Sequence, residues 1–166
     1  MNLNVNPILL NPTHIKVQEY IDSFEMGLKV IEFYTSTKTS DLAAQSLGVE
    51  VGQIAKTLVF LADQIPLLVV TCGDQRVDQK KLKSATGARK IKFADPEMVL
   101  KVTGYPVGGV CPLALETKVD IYLDQSLERF DVVYAAAGTP NSALPITLDQ
   151  LQTITQGIIA DLAVPN

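Results

Sequence analysis

Two apolar, β-branched runs, Ile54 to Ala62 and Ile65 to Cys72, stand back to back across Asp63 and Gln64, a spacing that predicts a β-hairpin. Ahead of them, Asn11 can cap a helix that takes Pro12 at its first position, carries a stripe of Ile15, Tyr20, Ile21 and Phe24, and stops at Gly27. Leu28 to Tyr34 reads as a strand, and Thr39 or Ser40 caps a short helix through Asp41 to Leu47 that Gly48 closes. After the hairpin, Val77 and Leu82 flank Asp78 as a hydrophobic staple, which predicts a helix to Thr86 with Gly87 behind it and a short strand to follow. Asp95-Pro96 opens another helix, ended by Gly104. Gly108 to Cys111, Val119 to Leu123, Val132 to Ala136 and Ala143 to Ile146 read as strands. Thr147 and Gln150 form a capping box, with Ile146 stapled to Leu151, so the last helix runs towards Gln156.

Strands outnumber crossover helices and several are adjacent in sequence, so the expected class is α+β: a mixed, partly antiparallel sheet with flanking helices. One domain over residues 1–166 is expected, since no repeat, linker or low-complexity segment interrupts the pattern. A doubly wound nucleotide fold fits less well, because the glycine-rich segment precedes a β region instead of joining a strand to a helix. The composition, 47% hydrophobic and 19% charged, can bury a core and excludes disorder. The longest nearly uncharged apolar stretch, Ile65 to Cys72, falls far short of the roughly 20 residues that span a bilayer. Met1 to Asn6 has neither the positive charge nor the apolar core of a secretory signal, so no membrane partner and a cytoplasmic location are expected. Cys72 and Cys111 lack the spacing of a zinc site or a disulfide framework and are expected to be free thiols.

A net charge of -4 argues against nucleic acid as a partner, but the distribution of charge argues the other way. Seven of the 14 basic residues, Arg76, Lys80, Lys81, Lys83, Arg89, Lys90 and Lys92, fall between positions 76 and 92, which would make one face basic on an acidic body.

Candidate chemistry begins with what is scarce. The single histidine, His14, lies in the first turn of the first helix, a poor place from which to serve a Ser-His-Asp or Cys-His arrangement, and reads as a surface or core-edge residue. No histidine or cysteine spacing suits a metal. Lys56 breaks its local pattern: in a strand it shares a face with Ile54, Leu58 and Phe60, so an ammonium projects among apolar neighbours. Two readings stand, a lysine snorkelling to water and a lysine facing an anionic ligand or developing oxyanion. In Gly104-Tyr105-Pro106-Val107-Gly108-Gly109-Val110-Cys111-Pro112, two adjacent glycines between prolines allow close backbone approach to a ligand, or simply a tight turn. Ala136 to Asn141, after an apolar strand, could line a pocket. Cys111 invites a nucleophile hypothesis but has no base beside it in sequence.

Together these pieces resemble the YbaK family and the related editing domain inserted in bacterial prolyl-tRNA synthetases. The match runs from about Ser40 to Thr155: Val51 to Leu58 looks like the family's lysine strand, Leu82 to Pro96 like its helix and Ala-Asp-Pro turn, and Gly104 to Pro112 like its most distinctive loop. Residues 1–35, a helix and a strand, fall outside the strongest match. The resemblance implies a free-standing trans-editing aminoacyl-tRNA deacylase, working without metal or cofactor on the acceptor end of tRNA, with an aminoacyl-tRNA synthetase as a further candidate partner. It implies that Lys56 holds the terminal nucleotide and reacting end, and that amides of Gly108 and Gly109 bind around the ester carbonyl. Candidate substrate contacts are then Tyr105, Pro106, Val107 and Val110 of the glycine loop, with Gly138, Thr139 and Asn141 of the later loop. Arg76, Lys80, Lys81 and Lys83 are the candidate tRNA contacts. Some relatives carry a histidine in the last loop where this chain has Asn141 beside Ser142, so the amino acid removed stays open. A non-catalytic aminoacyl-tRNA or synthetase binding module, and a hydrolase of small acyl esters, are the competing readings.

Overall fold

The computed structural model describes residues 9–33 and 39–166. Its elements are α1 (Pro12–Asp22), β1 (Ile31–Glu32), α2 (Ser40–Leu47), β2 (Ile54–Ala62), β3 (Ile65–Cys72), β4 (Gln75–Val77), α3 (Gln79–Thr86), β5 (Ile91–Phe93), α4 (Pro96–Thr103), β6 (Asp120–Asp124), β7 (Val133–Ala135), β8 (Ser142–Ile146), α5 (Leu148–Thr155), β9 (Ile158–Ala160) and β10 (Ala163–Pro165). The main sheet runs β1-β8-β7-β2-β3-β6-β9, with β5 also on β2, while β4 and β10 form a separate ribbon. β2–β3 and β7–β8 are antiparallel, whereas β2–β7, β3–β6 and β6–β9 are parallel, so the mixed α+β sheet expected from the sequence is the one that forms.

Strand alternation divides the core between the two faces of this sheet. Ala55 and Val59 of β2 join Leu68, Val70, Val133 and Leu144 under α1, α4 and α5, which contribute Val17, Ile21, Val99, Val102, Leu151 and Ile154. Phe60 and Ala62, on the opposite face, pack with Val69, Tyr122 and Leu82 of α3. On that same face α2 covers the start of β2, with Ala43 and Ala44 against Ile54. No described helix is long and apolar enough to cross a membrane.

The capping signals act locally as expected. Asn11, Thr39, Asp78, Asp95 and Thr147 each accept a backbone N–H at the start of their helix. The hairpin closes through Asp63 and Gln64, both at positive φ as a tight two-residue turn of this hand requires. Four expectations need correction. Gly108 to Cys111 is not a strand: Gly109 N–H bonds back to Pro106 O at 3.0 Å, and this turn turns the chain too sharply for a ladder. Of the expected run Leu28 to Tyr34, only Ile31–Glu32 pairs, while Tyr34 lies outside the described residues. The side chain of Gln18 takes the place of a neighbouring strand there, accepting from Val30 N–H and donating to Leu28 O, each at 2.8 Å. The buried face of α1 is His14, Val17 and Ile21, whereas Ile15 and Tyr20 are exposed. The three-residue strands β4, β9 and β10 went unforeseen, because so short a segment shows no period.

Asp124 ties the far side of the sheet together. This carboxylate is 1% exposed, accepts Leu162 N–H at 2.8 Å and Ser126 N–H at 3.1 Å, and takes the Thr71 hydroxyl at 3.3 Å. Three donors from β3, the turn after β6 and the C-terminal segment converge on one buried side chain. Asp124→Ala strands all of them and is expected to lower the unfolding free energy by about 3 kcal/mol. A denaturant melt showing a loss below about 0.5 kcal/mol contradicts that role.

Candidate active site

The site is created by the way β2 is paired. Along β3 its ladder is continuous, from Ala55 opposite Cys72 to Ala62 opposite Ile65. On its other edge, β7 reaches only Ile54 and Ala55, and β5 only Phe60 to Ala62, with Ala94 N–H bonding Val59 O at 3.0 Å. No described strand covers Lys56 to Leu58 on that side. Gly73 N–H bonds Ile54 O, so the even-numbered residues of β2 turn their backbone groups towards β3 and the odd-numbered ones outward. The N–H and C=O of Thr57 therefore face the fork between β7 and β5.

A pocket of about 480 Å³ occupies this fork. Its walls come from β2 (Ile54 to Val59), the end of β7, the start of β8, α2, α4 and the glycine loop, so it reaches both faces of the sheet. Most of the lining is small and apolar, including Ala43, Ala55, Ala94, Ala135 and Ala143, and few polar groups interrupt it. Thr57 is one: its hydroxyl is buried and has no hydrogen-bond partner among the described residues. At the mouth, Phe93 is 58% exposed, with its ring 4.5 Å from that of Phe60 and tilted 31° to it, and Val107 is 55% exposed.

Lys56 is half-buried on the pocket wall and donates from Nζ to the carbonyl of Gln75. Burial pushes its pKa below the ordinary lysine value, against the pull of the Asp74 carboxylate and of Cys72. Asp74 is in turn held by Arg129 through two bonds, Nη2 to Oδ1 at 2.7 Å and Nη1 to Oδ2 at 3.0 Å, which keep the carboxyl below its usual range. Neither Asp74 nor Arg129 was singled out from the sequence.

The structure brings Lys56, Val107, Gly108 and Val110 into one lining. It does not place Tyr105, Pro106, Gly109, Gly138, Thr139 or Asn141 there. Tyr105 is fully buried and donates its hydroxyl to Leu113 O at 2.6 Å. Gly109 lies flush against Thr139, where a Cβ would come within 2.6 Å of the threonine Cα, and a Cβ on Gly138 would meet the Tyr105 ring at 2.7 Å. Those residues form a layer behind the wall. Cys111 is fully buried in it, its thiol pKa pushed up to about 11 by desolvation, which is no setting for a nucleophile. Of the basic stretch, Arg76, Lys80 and Lys83 are exposed, whereas Lys81 is engaged with Asp161 at 2.9 Å and Ala163 O at 3.0 Å. None of the four lines the pocket.

Phe93, Ala94, Val99, Thr57 and Ser142 line the pocket but were not expected to. Of these, only Phe93 carried a usable signal, an aromatic just before the Ala-Asp-Pro turn. Of the two readings of His14, surface and core-edge, the surface one is overturned: it is 1% exposed and bonds Thr139 Oγ1 through Nε2 at 2.5 Å.

Residues 35–154 match the model of the aminoacyl-tRNA editing domain. Among relatives, the uncharacterized protein YwhH of Bacillus subtilis is 42% identical over 124 residues, covering 74% of this chain and 78% of that one. EbsC of Enterococcus faecalis, provisionally named a Cys-tRNA(Pro)/Cys-tRNA(Cys) deacylase, is 27% identical over 145 residues, 86% of this chain and 88% of its own. A crystal structure of a protein provisionally described as a trans-editing enzyme for prolyl-tRNA synthetase superposes with a TM-score of 0.88 at 37% identity, covering 94% of this chain and 99% of that one. With the family model matching well over half of its length, this chain belongs to the aminoacyl-tRNA editing domain family.

Proposed function

We propose that this protein hydrolyses, in trans, the ester between a wrongly attached amino acid and the 3′ end of a tRNA. The observation that carries the reading is the forked pocket, lined by both a half-buried ammonium and a glycine-loop backbone in a chain of the editing family. At about 480 Å³ it falls within the roughly 300–1,000 Å³ of sites for small ligands. An acylated terminal adenosine is a ligand of that class.

The chemistry asked of such a site is modest. An aminoacyl ester is already activated by its own ammonium and the adjacent hydroxyl, so the protein must orient a water and stabilise the tetrahedral oxyanion. Water adds to the carbonyl carbon, the ester C–O bond breaks, and the ribose hydroxyl leaves with a proton. In this scheme amides around Gly108 face the developing oxyanion. Lys56 gives one of its hydrogens to Gln75 O and keeps two for the phosphate or reacting oxygen of the substrate. The outward C=O of Thr57 and its unpartnered hydroxyl are acceptors suited to the amino acid's ammonium. Phe93 offers an exposed ring on which the terminal base can stack. The basic residues of β4 and α3, on the Phe60 face, then lie where the acceptor stem would pass.

The decisive experiment is release of free amino acid from a panel of mischarged tRNAs, cysteinyl esters included. Lys56→Ala is expected to cut turnover of the best substrate about a hundredfold, the usual effect of losing one such donor, with the fold intact by circular dichroism. Near-normal turnover would refute the assignment. Asp74→Asn removes the charge that holds the Lys56 proton in place, so the ammonium deprotonates at lower pH. The alkaline limb of the enzyme-dependent rate should therefore move to lower pH, and an unmoved limb counts against a working ammonium.

Charge reversal at Lys80 and Lys83, which leaves the Lys81 pair untouched, separates tRNA from a small ester as substrate. Turnover of charged tRNA should fall and become less sensitive to salt, while hydrolysis of a small aminoacyl ester stays constant. An unchanged salt dependence on tRNA would favour the small-ester reading.

A further inference from the structure

The glycine loop and the later loop are held in place from outside the segment that matches the family. The first turn of α1 sits directly on them. Thr13 packs its methyl on Gly138, where a Cβ would come within 2.5 Å of it, and Lys16 Nζ stands 5.2 Å from the centre of the Tyr105 ring. Between these two, His14 reaches Thr139 Oγ1 through Nε2 at 2.5 Å and lies 3.1 Å from Glu32 Oε2 through Nδ1. Glu32 is fixed on β1, accepts Leu10 N–H at 2.8 Å, and is paired with Ser142 in the ladder to β8. Phe33 N–H bonds Asn141 O at 2.8 Å, so residues 9–33 grip the later loop at Gly138, Thr139 and Asn141, and the family match begins only at residue 35.

The grip is passed to the pocket wall by contact. Thr139 backbone atoms lie where a Cβ on Gly109 would be, within 2.6 to 2.8 Å, so Gly109 can move towards the loop only if Thr139 moves first. Gly109 bonds back to Pro106, closing the turn that presents Val107 and Gly108 to the pocket. On the other side, Ser142 Oγ donates to Thr139 O at 2.9 Å and accepts Ala137 N–H at 2.9 Å, and Ser142 and Ala136 are themselves in the lining. The hydroxyl of Thr139 already accepts Asn141 N–H at 3.2 Å. In the tautomer that carries its hydrogen on Nδ1, Nε2 accepts the threonine hydrogen.

Hydroxyl, imidazole and carboxylate in a row also suggest a nucleophile. Two observations exclude it: Thr139 does not line the pocket, and the Glu32 contact, though close, is too oblique to count as a hydrogen bond. We infer that His14 and Thr139 are positioning residues that, through Gly109, hold the turn presenting Gly108 to the pocket at the geometry the reaction needs. This rests on the deacylase reading and assigns the N-terminal segment a part in it.

Thr139→Val removes the hydroxyl and keeps the shape, whereas Thr139→Ser keeps the hydroxyl. On the tRNA that the wild-type protein deacylates fastest, single-turnover rates are measured at saturating protein and normalised to the folded fraction from a thermal melt. Thr139→Val and His14→Ala should each slow the reaction about ten- to a hundredfold, as a misplaced reacting group does, with half-saturation unchanged within about twofold. Thr139→Ser should stay within about threefold of wild type. The double variant should be no slower than the worse single one, because both substitutions break the same link. Normalised Thr139→Val rates equal to wild type, or losses that multiply in the double variant, overturn the inference while leaving the deacylase reading standing. A panel on which the wild-type protein releases no amino acid overturns both.

Discussion

Everything in the site follows from one strand that cannot be paired along its whole second edge. β2 is nine residues long and accepts a parallel partner at its start and an antiparallel one at its end. Two partners of opposite direction cannot be continuous, so they diverge and leave Lys56 to Leu58 without a strand neighbour among the described residues. Backbone groups exposed on such an edge must bond to water or to something that replaces it. Here the gap is walled by α2, α4 and the glycine loop, and becomes a pocket with strand-edge donors and acceptors at its base. The pocket is the sheet's own discontinuity, bordered by strands, helices and the glycine loop.

That origin explains how a lysine can be kept half out of water. Its stem runs along an apolar wall, and its ammonium is relieved by the Gln75 carbonyl and the Asp74 charge. Asp74 is available for this because Arg129 orients it by a two-pronged bond, a geometry that a lysine in place of the arginine could not reproduce. A charge in an apolar recess acts on a ligand more strongly than the same charge in water. The scarcity of other polar groups in the lining is thus part of the electrostatics.

Much of this was legible in advance, and what was not has a physical reason. The hairpin was readable to the residue, because its alternation and its two-residue turn reinforce each other. Helix starts were readable because capping is a local bond between neighbours in sequence. Lys56 stood out for breaking the apolar run of its own strand. The fork could not be seen, since it depends on where β5 and β7 stop, and strands of three residues show no period. Thr57 was hidden for the opposite reason: on a strand it looks like any β-branched residue until its hydroxyl proves to have no partner among the described residues. The glycine loop was recognised as a place of close approach, and within the protein Gly109 makes such an approach to Thr139.

His14 was read as idle because its sequence neighbours offer nothing to act with, yet its partners are 18 and 125 positions away. It takes the place in α1 where a helical stripe would put an apolar side chain, and a buried imidazole is tolerated there only because both ring nitrogens face polar groups. In the proposed mechanism a loop amide that meets a transient oxyanion gains nothing if the loop can relax away as charge develops, so its support has to exist before the substrate arrives. Glycines give such a loop close approach at the expense of stiffness. Stiffness must then come from neighbours, and here the nearest are the first turn of α1 and the loop it grips.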